Sequence, residues 1–167
     1  MRAPQNEVQT LLGHFWASGI DEAAVEADGA TPIAPMLGRI NAIRRARDVA
    51  PAIAALHQVG IPVAFNFTAD LDLADLDRYA GYFAQGGLGL PDPAYYTSED
   101  PDARALLGRY TEYVSNILRL TGTPEDRVAA EMAQVIDLET RIARLSRPVE
   151  SLRDPRANYA MAPVGGF

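Results

Sequence analysis

Two long apolar stripes of helical period constrain what this chain can fold into. Leu106, Tyr110, Tyr113, Val114, Ile117 and Leu118 form the first; Val128, Met132, Val135, Ile136, Ile142 and Ala143 form the second. Steps of three and four residues put such side chains on one face of an α-helix, and that face must be buried. The ends are punctuated as helices require. Asp100-Pro101 supplies a capping carboxylate and a proline at the first helical position, and Gly122 ends the first helix. Thr123-Pro124-Glu125-Asp126 opens the second as a variant capping box, with Thr123 at the cap; that helix runs towards Ser146, and Pro148 lies beyond it. One charged residue, Glu139, falls on the inward stripe.

The N-terminal part repeats this pattern in shorter pieces. Val8, Leu11, Leu12, Phe15 and Trp16 make an apolar stripe, and Asp21 caps a short helix, Glu22 to Asp28, with Gly29 past its end. After the linker Thr31 to Pro35, residues Met36, Leu37, Ile40 and Ile43 share a face, while Arg44, Arg45 and Arg47 are solvated. Asp48 is placed to cap a helix that turns Val49, Ile53 and Leu56 inward and stops at Gly60.

The period then changes to two. Ile61, Val63, Phe65, Phe67 and Ala69 alternate with other residues in a run rich in β-branched and aromatic side chains, which predicts a strand. The acidic stretch Asp70 to Asp77 reads as a solvated connection, and residues 78–85 return as an antiparallel partner. The expected fold class is mainly α, a bundle of amphipathic helices with one small antiparallel β-hairpin. A lone hairpin is marginal, so helices are expected to pack on it. Val149 to Phe167 has no sustained period and ends in Val164-Gly165-Gly166-Phe167, a tail expected of a truncated end.

Composition excludes several function classes. The 15 basic residues, all Arg, against 22 acidic ones leave a net charge of −7, which repels phosphate backbones; no nucleic-acid role is expected. With no cysteine there is no disulfide, thiolate metal site or cysteine nucleophile. No segment approaches the ~18 apolar residues of a membrane span. The opening MRAPQNEVQT has no apolar signal core, so no export signal is expected in the chain as written.

Residues that could carry chemistry do not assemble into a motif. His14 and His57 each lack a second histidine three or four residues on, so no zinc-binding HExxH helix exists, and both read as ordinary helix histidines. Asp70, Asp72, Asp75 and Asp77 suggest a calcium loop, but an EF-hand register from Asp70 puts Ala74, Asp75 and Gly81 at positions 5, 6 and 12, where it fails. Gly86-Gly87-Leu88-Gly89 matches neither phosphate-loop pattern and is followed by Pro91; a tight turn after a strand accounts for it. No serine sits in a GxSxG setting. The pair Tyr95-Tyr96 suits a packed or rim position.

The segment QGGLGLPDPAYY, Gln85 to Tyr96, closely resembles a signature in the N-terminal region of the neprilysin-like zinc metallopeptidases, the family of neprilysin and endothelin-converting enzyme. The resemblance continues in order through Phe15 to Leu37, Leu56 to Phe67, Leu138-Glu139-Thr140 and Arg153-Asp154-Pro155, and covers nearly the whole chain. It departs where the family usually shows Tyr-Asn: here Tyr159 is followed by Ala160.

The resemblance implies that residues 1–167 are a single partial domain, part of the helical N-terminal lid that encloses the substrate chamber of a metalloendopeptidase. The HExxH helix and the other zinc ligands of such enzymes lie elsewhere, so no catalytic, cofactor-binding or metal residue is assigned here, and zinc is expected only in the parent. The implied partners are the catalytic domain of the same protein and the parent's peptide substrates, and the implied compartment of the parent is extracytoplasmic. A domain cut from a larger fold exposes apolar surface, so self-association is expected through Leu11, Phe15 and Trp16 or through Tyr95-Tyr96. Two other readings are a stand-alone helical peptide- or protein-binding module without catalysis, and a small enzyme built on His14 or His57.

Overall fold

The structure is a computed structural model, and it describes residues 6–163. Those residues are mainly helical with one two-stranded antiparallel sheet, the expected class. They fall into two compact units, residues 1–41 and 42–167. The beginning of the chain and the terminal Val164-Gly165-Gly166-Phe167 lie outside the described residues.

In the first unit, α1 (Glu7–Gly19) is capped by Asn6, whose side chain accepts from the Gln9 N–H at 2.9 Å. Helix α2 (Glu22–Asp28) has the expected cap, Asp21 accepting from the Ala24 N–H at 3.0 Å, and Gly29 follows with φ +51°. A 3-10 turn at Thr31–Ile33 leads into α3 (Ala34–Asn41). The α1 stripe is exposed, with Phe15 78% and Trp16 58% accessible.

The second unit begins with a correction. Helix α3 stops before Ile43, and Asp48 stands at the N-cap position of the next helix, α4 (Val49–Gln58), without a side-chain bond into it. The Asp48 carboxylate instead accepts from the N–H groups of Arg44 and Arg45, at 3.1 and 2.9 Å. That bends the backbone into a 3-10 turn, Ala46–Asp48, that runs straight into α4.

The strand also begins later than its alternation suggests. Strand β1 is Phe65–Asp72 and β2 is Asp75–Gln85, paired from Phe65↔Gln85 to Leu71↔Tyr79, with an irregularity before Asp72↔Asp75. Residues 61–64 are diverted. His57 Nε2 lies 3.0 Å from the Val63 carbonyl oxygen and 3.2 Å from its amide nitrogen, so either tautomer finds a partner there. Ala64 then takes φ +65°, a left-handed conformation that breaks the extended run. The acidic stretch forms the strand ends and the hairpin tip, with Asp70, Asp75 and Asp77 exposed as expected of a solvated connection, but Asp72 is fully buried. Cross-strand aromatic contacts, Phe65–Phe83 at 5.4 Å and Phe67–Phe83 at 4.9 Å, line one face.

The core lies where the two long stripes meet. Helices α5 (Pro101–Leu120) and α6 (Glu125–Leu145) pack together, and Ala103 and Val114 of α5 and Val128 and Ala143 of α6 are buried. Asp100 caps α5 as expected, accepting from the N–H groups of Asp102 and Ala103 at 2.9 and 3.2 Å. Thr123 does not cap α6. Pro124 occupies that position, and the Thr123 hydroxyl donates to the Glu131 carboxylate at 3.1 Å.

Candidate functional site

The glycine-rich loop is the best-organised irregular segment of the chain. Gly87 adopts φ +82° after β2, where a β-carbon would also come 3.0 Å from the Ala64 backbone. Asp92 then accepts from the Ala94 N–H at 2.9 Å and starts a 3-10 turn, Pro93–Tyr96, that packs on both α5 and α6. This turn buries Tyr96 to 6% exposure, a packed position as expected, so Tyr96 is not the self-association contact suggested for Tyr95-Tyr96. Tyr95 is half-buried.

Beneath the loop sits a polar clasp. The Tyr96 hydroxyl donates to Glu139 Oε2 at 2.7 Å and accepts from the Leu90 N–H at 2.8 Å. The Tyr110 hydroxyl donates to the other carboxylate oxygen, Oε1, at 3.0 Å. The two rings meet edge to face with centroids 6.3 Å apart. Glu139 thus joins the loop, α5 and α6 through one carboxylate. Gly89 closes the arrangement, since a β-carbon there would come 2.5 Å from Tyr110 Cζ and closer still to its hydroxyl oxygen. Burial, then the Glu139 carboxylate beside it, raises the Tyr96 hydroxyl from 10.0 to about 12, and the same causes raise Tyr110. Both phenols stay protonated as donors, so one carboxylate holds two of them.

A second buried group organises the hairpin tip. Asp72 accepts from the Tyr159 hydroxyl at 2.6 Å, the Ala74 N–H at 2.9 Å and Arg78, whose Nη2 lies 2.5 Å away. The Tyr82 hydroxyl adds two bonds, donating to the Leu71 carbonyl at 2.8 Å and accepting from the Leu73 N–H at 3.0 Å. At the hairpin base, the Gln85 amide donates to the Arg147 carbonyl at 3.0 Å and accepts from the Arg147 N–H at 2.9 Å.

The two histidines belong to different units. His14 is exposed on α1, in the first, and His57, in the second, is engaged with the Val63 backbone. Among the described residues no group of three or more His, Asp or Glu side chains is placed to hold a metal ion. An open cleft of about 220 Å³ lies between the loop and the segment after α6, lined by Asn66, Leu88 and Val149 among others. Its lining has no titratable side chain, and its serine, Ser146, donates to the Ile142 carbonyl.

The family model of peptidase family M13, in its N-terminal part, matches residues 1–167. The chain belongs to peptidase family M13. Neprilysin-3 of Drosophila melanogaster is 32% identical over 95 residues, 57% of this chain and 12% of that protein. Endothelin-converting enzyme 1 of Cavia porcellus is 31% identical over 96 residues, 57% of this chain and 13% of that protein. Among solved structures, the zinc metalloprotease Zmp1 of Mycobacterium tuberculosis in its open state is similar at 29% identity and a TM-score of 0.81, over 98% of this chain and 25% of that one. The inhibitor complex of Zmp1 matches at 30% identity and a TM-score of 0.76. The chain therefore spans about an eighth of these curated relatives and a quarter of Zmp1.

For this M13 chain, the resemblance in QGGLGLPDPAYY now has a physical content. Gly87 makes the turn, Gly89 leaves room for Tyr110, Asp92 and Pro93 start the 3-10 turn, and Tyr96 reaches Glu139. The shared link between the loop and Glu139 is 43 residues long, beyond what spacing reveals. Its one local signal is a carboxylate on the inward face of α6. The roles of Asp72, Gln85 and Tyr159 had no such signal.

Proposed function

We propose that this chain is part of the N-terminal domain of a zinc metalloendopeptidase and serves there as non-catalytic helical lid, enclosing the chamber in which peptides are cut. The observation that carries the reading is similarity along the whole chain: the M13 match covers residues 1–167, and Zmp1 aligns with 98% of them. In such an enzyme zinc polarises the scissile carbonyl and a glutamate activates water. Among the described residues no group is placed to hold that metal, and no step of the reaction is assigned to them.

The contribution of these residues is shape. The Tyr96–Glu139–Tyr110 clasp fixes the loop to the α5–α6 pair, so the lid wall is stiff where the chain is least regular. The proposed partners are the catalytic domain of the same protein and peptide substrates, and the proposed compartment of the parent is extracytoplasmic.

The test compares the parent with a version lacking residues 1–167, alongside the isolated chain. The isolated chain with added zinc should cleave no peptide. The shortened parent, if it retains peptidase activity, should accept larger substrates than the parent does. Chelator-sensitive turnover by the isolated chain, or an unchanged size limit after the deletion, would overturn the reading.

A further inference from the structure

The hairpin and the segment after α6 are fastened at two widely separated points. Gln85, the strand partner of Phe65, grips both backbone groups of Arg147 at the base. Asp72, at the far end of β1, takes the hydroxyl of Tyr159. Seven residue steps of strand separate Phe65 from Asp72, roughly 23 Å at ~3.3 Å per residue. Residues 147–159 therefore run the length of the hairpin.

Between the fastenings this segment stands on itself. It folds into a 3-10 turn, Val149–Arg153, and Asn158 donates to the carbonyls of Ser151 and Asp154 at 2.7 and 2.6 Å. Arg147 reaches the Asn158 side chain, closing the segment into a loop. Asp154 accepts from the Arg156 and Ala157 N–H groups, at 2.9 and 3.2 Å. Its middle, Val149 and Leu152, borders the open cleft opposite Asn66 and Leu88. An element that is internally bonded, and borders open space between its two attachments, can release one end without unravelling the other.

The two attachments differ in kind. At the base a neutral amide pairs with a backbone amide, between a half-buried Gln85 and an exposed Arg147. The tip fastening ends on a carboxylate that is completely buried, and Arg78 and the Ala74 N–H hold that carboxylate in place whether or not Tyr159 is present. Tyr159 is thus a removable lid on a site that keeps its other partners.

We propose that residues 147–159 form a strap along the hairpin, and that Tyr159 on Asp72 is a latch at its tip that opens independently of the Gln85–Arg147 base. Opening uncovers the Asp72–Arg78 pair and frees Tyr159 from the hairpin, while β1 and β2 stay paired and the strap keeps its own bonds.

Hydrogen exchange read by mass spectrometry on the whole chain tests this, using Tyr159→Phe, which removes only the hydroxyl. Amides at 73–74, beside the uncovered Asp72, and at 159 should exchange about tenfold faster or more, as the loss of a bond to a charged acceptor implies, while those at 156–158 keep their bonds within the strap. Those at 83–90 and in α5 and α6 should be unchanged. Gln85→Ala should do the converse, freeing 146–149 and leaving 73–74 protected. Unchanged exchange at 73–74 in Tyr159→Phe, or loosening that spreads to the base, would overturn the proposal. A measurement on the unaltered chain guards against a variant that fails to fold. With the side chain labelled at Cζ, Tyr159 should ionise above the ordinary tyrosine value of 10.0, because its hydroxyl is bonded to Asp72. Ionisation at the ordinary value would refute the latch.

Discussion

Removing the Tyr96 hydroxyl is the sharpest perturbation of the clasp. Tyr96→Phe keeps the ring, its edge-to-face contact with Tyr110 and its burial. It deletes two hydrogen bonds, one to the Glu139 carboxylate at 2.7 Å and one from the Leu90 N–H at 2.8 Å. A bond to a charged group contributes ~1.5–3 kcal/mol, and an orphaned, half-buried N–H adds about 1 more, so the expected loss is about 2.5–4 kcal/mol. Tyr110→Phe deletes one longer bond, at 3.0 Å, and should cost about 1–2 kcal/mol. The two share one carboxylate, so the double variant should depart from additivity by at least ~0.5 kcal/mol. Urea unfolding of the 167-residue chain, compared at equal slope, measures all three quantities. A Tyr96→Phe cost no greater than that of Tyr110→Phe, or strict additivity, would refute the shared-carboxylate account.

Three further outcomes are expected. Gly89→Ala should lower the melting temperature, because its β-carbon displaces the Tyr110 ring at a cost of about 1–3 kcal/mol; a neutral result would mean the loop shifts freely. The Asp72 carboxyl is held down from 3.8 to about 2 by Tyr159, then by the Ala74 N–H and Arg78. A depressed carboxyl adds stability that is complete above the unfolded value and is lost as pH falls through the folded one, so the tip should persist below pH 3.8 and open near 2. A carboxyl NMR titration giving a midpoint for Asp72 at 3.8 or above would contradict this. Finally, the isolated chain should self-associate through α1, and Phe15→Glu with Trp16→Glu should reduce the scattering mass at high concentration; a wild-type chain that stays monomeric there would refute it.

How much of the fold was legible follows from how local each cause is. Helices α5 and α6 carry their stripes, and α5 its Asp100 cap, within one window each, so pattern alone finds them. The misplacements came from side chains that chose a different partner from the one spacing suggests. Asp48 turned back to Arg44 and Arg45, and Thr123 turned forward to Glu131. His57 took the backbone of Val63, which moved the strand start from 61 to 65. In each case the residue type was suitable for the expected bond, and a nearby alternative acceptor or donor won.

The candidate site was less legible, because its bonds are long-range and its key residues look ordinary in sequence. Glu139 is one carboxylate in a stripe, and Tyr96 one of seven tyrosines. Only their meeting across 43 residues makes the pair a clasp. Asp72 makes the point more strongly. In an acidic run the safest reading of any aspartate is a solvated one, because a buried charge must find partners. Here the partners exist, one of them 87 residues away. The same logic covers both clasps. The buried Asp72 finds a hydroxyl, a guanidinium and a backbone N–H, and the half-buried Glu139 finds two hydroxyls. Such bonds hold the hairpin tip and the glycine-rich loop in shape, which is what the proposed lid role asks of these residues.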